Sequence, residues 1–135
     1  MKKLLLTTLA LLFALPLQAA TLKIATVTPH MHYRGKDMIM KAVLPDGTEK
    51  VLVSTPKYDF NWQTVYELEE PLDAPKGTKI EVIAHFDNSE GNLANPDPTK
   101  NVRFGNSSFD EMMIGFVDYI VEVDDASGAN PSAGR

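Results

Sequence analysis

Two of the three histidines in the chain, His30 and His32, are separated by a single residue. An extended strand alternates its side chains between two faces, so residues two apart point the same way. A His-x-His pair on a strand therefore offers two imidazoles to one ion, and imidazole is a ligand for copper, zinc, nickel and iron. Two histidines do not complete a site, and an isolated pair is more often two surface residues. The residues elsewhere in the chain therefore decide the interpretation.

Methionine is one candidate for the missing ligand, because thioether sulfur is soft and selects Cu(I). The ordinary role of methionine is to fill the core, and we expect that role for Met38 and Met40, which share one strand face. Met31 would point away from the face used by the histidines. Met112 and Met113 are adjacent, so in a strand they would face opposite sides. The spacing alone leaves the third ligand open.

Short segments rich in apolar and β-branched residues alternate with turn sequences, which predicts an all-β fold. The predicted strands cover residues 22–27, 37–44, 50–53, 62–68, 79–86, 102–104 and 111–123. Strong turn signals lie at 45–47 and 75–77. The segment 111–123 holds the longest apolar run, and we expect it to be buried on both faces along much of its length. Six to eight short strands predict an antiparallel β-sandwich or jelly roll.

The N-terminal residues 1–20 have the three parts of a secretory signal peptide, with cleavage predicted near Ala19 or Ala20. The apolar stretch 4–15 is shorter than the roughly 20 residues that a membrane-spanning helix needs. Residues 21–124 form the predicted domain, and the small and polar residues 125–135 are predicted to be a disordered tail. These features predict a periplasmic or secreted protein without a membrane association after cleavage.

The composition narrows the possible partners. The chain has no cysteine, so no disulfide framework is possible. Its formal net charge is −5, and loss of Lys2 and Lys3 with the signal peptide makes it −7. An acidic protein is a poor partner for nucleic acid or anionic lipid, but it tolerates a basic protein or a metal cation.

Two segments carry a resemblance to a known family. The first is His30-Met31-His32 followed by Gly35-Lys36, and the second is the run GNSSFDEM at residues 105–112. Together they resemble the C-terminal, oxygen-activating domain of the copper type II ascorbate-dependent monooxygenases. The resemblance implies an antiparallel β-sandwich of jelly-roll type and a copper site made by the His-x-His pair and the methionine of Asp-Glu-Met. In this chain those ligands are His30, His32 and Met112.

Strand parity agrees with that choice of methionine. Met113 shares its parity with the more continuous apolar face of the segment 111–123, so it is predicted to lie in the core. Met112 would then face the metal. In the animal enzymes a second copper is bound by three further histidines in another domain, whereas this chain has only His85 left.

His85 and the loop after it have two interpretations each. His85 faces away from the predicted core set of the segment 79–86. It is either an extra copper ligand or a hydrogen-bond donor near the copper, or else a surface residue bonded to Asp87 or Asn88. The loop 87–101 is rich in oxygen ligands that could hold Ca²⁺. Asx-turns account for the same residues.

The sequence therefore predicts an exported copper-binding domain, with copper as its cofactor and a periplasmic redox or copper-handling protein as a possible partner. The favoured function is copper carriage or delivery, because histidines for a second copper are missing. The alternative is a copper-dependent monooxygenase that takes electrons from a partner or from an ascorbate-like reductant. A third is a metal-free interaction domain, and whether the protein is an enzyme is left open.

Overall fold

The computed structural model describes residues 20–123, in which every regular element is a β-strand. The strands are β1 (Ala20–Met31), β2 (Gly35–Val43), β3 (Glu49–Thr55), β4 (Tyr66–Ala74), β5 (Lys79–Phe86) and β6 (Met113–Val123). No helix in this part of the chain has the length and apolar character needed to cross a membrane. Apart from Ala20, the predicted signal peptide lies outside the described residues, as does the predicted tail.

The strands form two antiparallel sheets of three strands each, in the orders β4-β1-β6 and β3-β2-β5. Buried apolar side chains from both sheets form a single cluster: Ile24, Val27 and Met31 from the first, and Met38, Met40, Ala42 and Val53 from the second. The predicted all-β antiparallel fold is confirmed, and two sheets with a shared core are consistent with a β-sandwich. The jelly-roll type stays a prediction.

Alternation along the strands decides which residues reach the core. On β2, Met38 and Met40 are almost fully buried, as predicted for two residues on one face. On β5, Val82, Ala84 and Phe86 pack against the same cluster. His85, between Ala84 and Phe86, points outward. The turn between β2 and β3 has Gly47 at a φ of 87°, which a residue with a side chain rarely adopts. β2 pairs antiparallel with β3 on either side of this turn, so the predicted hairpin is present.

The segment 111–123 differs from its prediction. Phe116 and Ile120 on β6 are 51% and 47% exposed, so this strand is not buried on both faces. The reason is its position at the edge of its sheet, where only Val117 among its described side chains packs against the core cluster. The prediction that Met113 lies in the core is wrong, because Met113 shares the parity of Val117 but is 40% exposed at the start of this edge strand. The apolar run indicated a strand correctly, but its composition carried no information about the second face.

The structure also differs from the predicted strands 62–68 and 102–104. β4 begins at Tyr66, later than predicted, and continues through Pro71 to Ala74. Proline is tolerated there because β4 is an edge strand of its sheet. The predicted strand 102–104 is reduced to an isolated bridge between Phe104 and Glu111.

The end of β1 is held by one tyrosine. The Tyr58 hydroxyl donates to the Met31 carbonyl at 2.7 Å and accepts from the Met31 N–H at 2.8 Å. Burial raises the pKa of the Tyr58 hydroxyl, so it keeps the proton that it donates. A Cβ added at Gly35 would lie 2.8 Å from the Met31 Cβ and 2.9 Å from the Tyr58 Cδ1. The turn from β1 to β2 therefore leaves no space for a side chain at Gly35.

We predict that Gly35→Ala destabilises the fold by about 1–3 kcal/mol, the usual cost of overpacking. The matched control is Gly91→Ala, where the nearest atom to a new Cβ is the Ser89 Oγ at an ordinary 3.5 Å. Urea unfolding of both variants measures the difference. Equal free energies of unfolding for the two variants would contradict this account of the turn.

Candidate metal centre

The two histidines of the His-x-His sequence lie side by side. His30 is the second-last residue of β1, and His32 follows directly after the strand. Their ring centres are 5.2 Å apart and the ring planes are perpendicular. The His32 side chain is buried and that of His30 is half-buried. Both rings are on the outward side of the first sheet, because Met31 between them points into the core.

The proton of the His30 ring is fixed by Gln63. The Gln63 Nε2 donates to the Phe60 carbonyl at 2.7 Å, so its Oε1 is left as an acceptor. That oxygen lies 2.5 Å from the His30 Nδ1, which must therefore be the protonated nitrogen. The lone pair of the neutral ring is then on Nε2.

His32 is fixed in the same way by a backbone carbonyl. Its Nδ1 lies 3.2 Å from the carbonyl oxygen of Asp110, which can only accept. Its backbone N–H also donates to the Met112 carbonyl at 3.3 Å. The segment 110–112 thus holds both the ring and the main chain of His32, and the ring again keeps its lone pair on Nε2.

This arrangement fits a metal ion. Metal-binding histidines almost always donate their second ring N–H to a carbonyl or carboxylate, which fixes the tautomer and the ring direction. Metal–nitrogen bonds are about 2 Å long, so two ring centres on one ion are at most roughly 6 Å apart, and 5.2 Å is within this reach. In the described part of the chain each ring bonds through Nδ1, and neither Nε2 has a protein hydrogen bond.

The position of Met112 follows from the pairing of β1 with β6. Met31 is opposite Met113, and the bond from His32 to Met112 continues this pairing by one residue. Residues directly opposite each other in an antiparallel pair lie on the same side of the sheet. Met112 is therefore on the side that carries both histidines, and Met113 is on the side of Met31. The two methionines lie at the start of β6, where both also border one cavity with Phe86, Phe104 and Glu111, and neither histidine lines that cavity.

Within residues 20–123 no three side chains of the types His, Cys, Asp and Glu come together as a metal-binding group. In this part of the chain His30 and His32 thus have no third side chain of these four types beside them. The thioether of Met112 would be a ligand of a different kind.

The structure does not bring His85 to the pair. His85 is on β5, directly opposite Asp37 of β2, and its Nδ1 lies 2.6 Å from the Asp37 Oδ1. The two side chains point away from the core on the outward side of the second sheet, whereas His30 and His32 are on the first. This placement argues against His85 as a ligand of the same ion. Its partner is Asp37, and neither Asp87 nor Asn88, because cross-strand register places Asp37 next to it.

The loop 87–101 is built from Asx-turns. Asp87 accepts from the Ser89 N–H at 2.9 Å, and Asp97 accepts from the Thr99 N–H at 3.0 Å. The Ser89 hydroxyl and N–H lower the pKa of the Asp87 carboxyl, and the Thr99 hydroxyl and N–H lower the pKa of the Asp97 carboxyl. These carboxylate oxygens, which could have bound Ca²⁺, thus accept hydrogen bonds within the loop. This agrees with the second of the two interpretations of the loop, Asx-turns.

Sequence reasoning missed the residues that surround the pair. The ring centre of Phe60 is 6.3 Å from that of His32, and Phe116 lies at the same distance from His30. The ring centre of Tyr33 is 4.3 Å from that of Phe60, with the two planes tilted by 51°. Phe60 and Gln63 belong to the connection between β3 and β4, which carries no metal-binding motif. This connection contacts the two histidines only because the fold places it next to the end of β1.

The comparison with protein families identifies the family of the chain. The family model for the C-terminal domain of copper type II ascorbate-dependent monooxygenases matches residues 12–130. The chain therefore belongs to this family, which confirms the resemblance seen in its two motifs, and copper is the cofactor that the family implies. No curated protein and no solved structure matches the chain.

We predict that Gln63→Leu lowers Cu(II) affinity by about 10–100-fold, the usual effect of losing the partner that orients a metal-binding imidazole. Leucine removes the acceptor of the His30 Nδ1 proton, so the ring no longer has a fixed tautomer. The control is Asn61→Ala in the same connection, because the Asn61 side chain bonds to Asp59. Competition titration with a Cu(II) chelator measures both variants. A wild-type affinity in Gln63→Leu would show that this bond does not prepare the site.

Proposed function

We propose that this chain is the oxygen-activating copper domain of a monooxygenase, with one copper ion held by His30, His32 and Met112. The observation that carries the proposal is that each imidazole is held through Nδ1 and has its Nε2 available. Family membership supports this alternative more than the copper-carrying role that the motifs alone favoured. We further propose that the protein is exported to the periplasm and has the jelly-roll topology that the resemblance implies.

The proposed reaction inserts one atom of O₂ into a C–H bond of a substrate. The second oxygen atom leaves as water, so the reaction consumes two electrons and two protons. When bound, copper supplies the one-electron chemistry and the affinity for oxygen. The protein supplies two oriented nitrogen donors, and a thioether at Met112 would favour the Cu(I) state. His32 is buried against Phe60, which limits access of water on that side.

The electrons for this reaction come from outside the described residues. His85 is the one histidine besides the pair, and it lies on the other sheet bonded to Asp37. One histidine cannot form the three-histidine site that holds the second copper in the animal enzymes. We therefore propose a small reductant such as ascorbate, or a redox partner protein, as the electron donor.

We predict that the copper-loaded protein, desalted to remove free copper, consumes O₂ with ascorbate even without a C–H substrate, in an uncoupled reaction that oxidises ascorbate and reduces O₂ to hydrogen peroxide. His30→Ala and His32→Ala should each lower this rate at least tenfold, because each removes one of two nitrogen donors. His85→Ala is the matched control and should keep the wild-type rate, since His85 lies on the opposite sheet. An oxygen electrode measures all four proteins. Tight copper binding without ascorbate-dependent O₂ uptake would contradict the monooxygenase and support copper carriage.

We predict that Met112→Leu weakens Cu(I) binding more than Cu(II) binding, because the soft donor is lost while both imidazoles remain. Met113→Leu is the control, because Met113 lies opposite Met31 on the other side of the sheet. Leucine is close to methionine in volume, so either change should cost less than about 1.5 kcal/mol of stability. Competition with a chromogenic Cu(I) chelator measures the affinities. A loss in Met113→Leu alone would reject Met112 as the ligand.

A further inference from the structure

Arg34, two residues after His32, has one of the most buried side chains in the described part of the protein. It is 2% exposed, and none of its neighbours forms a salt bridge with it there. A buried charge is costly unless hydrogen bonds satisfy it. The guanidinium donates to three neutral oxygens: the Asn88 Oδ1 at 2.9 Å from Nε, the Phe109 carbonyl at 2.7 Å from Nη1, and the Asp97 carbonyl at 3.5 Å from Nη2.

These oxygens belong to two different parts of the chain. Asn88 and Asp97 lie in the loop after β5, and Phe109 lies in the segment that leads into β6. The Arg34 carbonyl also accepts from the Asp87 N–H at 2.8 Å. A planar guanidinium has donors in fixed directions, so Arg34 fixes the position of the two segments relative to the turn that carries His32.

The segment held by Arg34 is the one that orients His32. Phe109 accepts from Arg34 through its carbonyl, and the next carbonyl, that of Asp110, accepts from the His32 Nδ1. Two residues later, Met112 accepts from the His32 N–H. A short path of hydrogen bonds therefore leads from the guanidinium through the main chain to the ring of His32.

We propose that Arg34 is a positioning residue for the copper centre: it holds the segment 109–112 so that the Asp110 carbonyl selects the His32 tautomer and the Met112 carbonyl keeps its bond to the His32 N–H. The role of Arg34 in copper binding rests on the proposed function. Its effect on the His32 tautomer in the metal-free protein does not. A residue that served only general stability would have no selective effect on one of the two rings.

The second histidine provides an internal control. His30 is held by Gln63 in the connection between β3 and β4, and no side-chain hydrogen bond of Arg34 reaches that connection. Loss of Arg34 should therefore release His32 and leave His30 as it is. Gln63→Leu should have the opposite pattern.

The experiment is long-range ¹H–¹⁵N NMR of the imidazole nitrogens in the metal-free protein, with Arg34→Met and Arg34→Lys. We expect His32 to change from one tautomer to a mixture in Arg34→Met while His30 keeps its wild-type shifts. Arg34→Lys keeps the charge but lacks the planar set of donors, so it should restore the tautomer only in part. Unchanged His32 shifts, or equal changes in both rings, would overturn the proposal.

Asn88→Ala keeps the test decisive if the Arg34 variants do not fold. Asn88 is exposed, and its loss removes one acceptor of the guanidinium while Arg34 stays in place. We expect a smaller change in the same direction at His32, and no change there would overturn the proposal. Cu(II) titration of the folded variants should show about a 10–100-fold loss of affinity. Wild-type protein that binds no copper would reject the proposed function, whereas the NMR result would still decide the role of Arg34.

Discussion

The fixed position of Met31 is the constraint on which the candidate site depends. Its side chain is fully buried in the core, and the Tyr58 hydroxyl bonds to both its N–H and its carbonyl. Burying a methionine side chain contributes about 1.5–3 kcal/mol, so a rotation of this strand end that exposes Met31 is unfavourable. Because side chains alternate along the strand, His30 and His32 on either side of Met31 then lie on the outward side of the sheet. The core thus determines the direction of the two imidazoles.

Two separate parts of the chain then orient the rings on that side. The connection before β4 holds His30 through Gln63, and the segment before β6 holds His32 through the Asp110 carbonyl. Both contacts use a neutral acceptor on Nδ1, so both rings present the same nitrogen. A site prepared in this way loses little further freedom when it binds an ion. This preparation is what separates the pair from two ordinary surface histidines.

Much of the scaffold could be predicted because it is encoded locally. The alternation on β5, the turn at Gly47 and the shared face of Met38 and Met40 each depend on a few neighbouring residues. The exposure of β6 could not be predicted, because it depends on the place of the strand at the edge of a sheet. An apolar run has the same composition at an edge and in a centre.

The residues that surround His30 and His32 could not be predicted from the sequence either. Gln63 is 33 residues from His30 and Asp110 is 78 residues from His32, so only the tertiary fold brings them together. Arg34 is close to the motif, but nothing in its neighbourhood showed that it would be buried against the carbonyls of two distant segments. The pairing of His85 with Asp37 likewise depends on the register of β2 and β5. The motif named the candidate ligands, and the fold added the residues that hold them.

The most direct test of this account is X-ray absorption at the copper edge of the Cu(I)-loaded protein. The account predicts one copper per chain with two imidazole nitrogens and one sulfur as its protein ligands. Scattering from imidazole nitrogens without sulfur, or from a single imidazole, would contradict a site formed by His30, His32 and Met112.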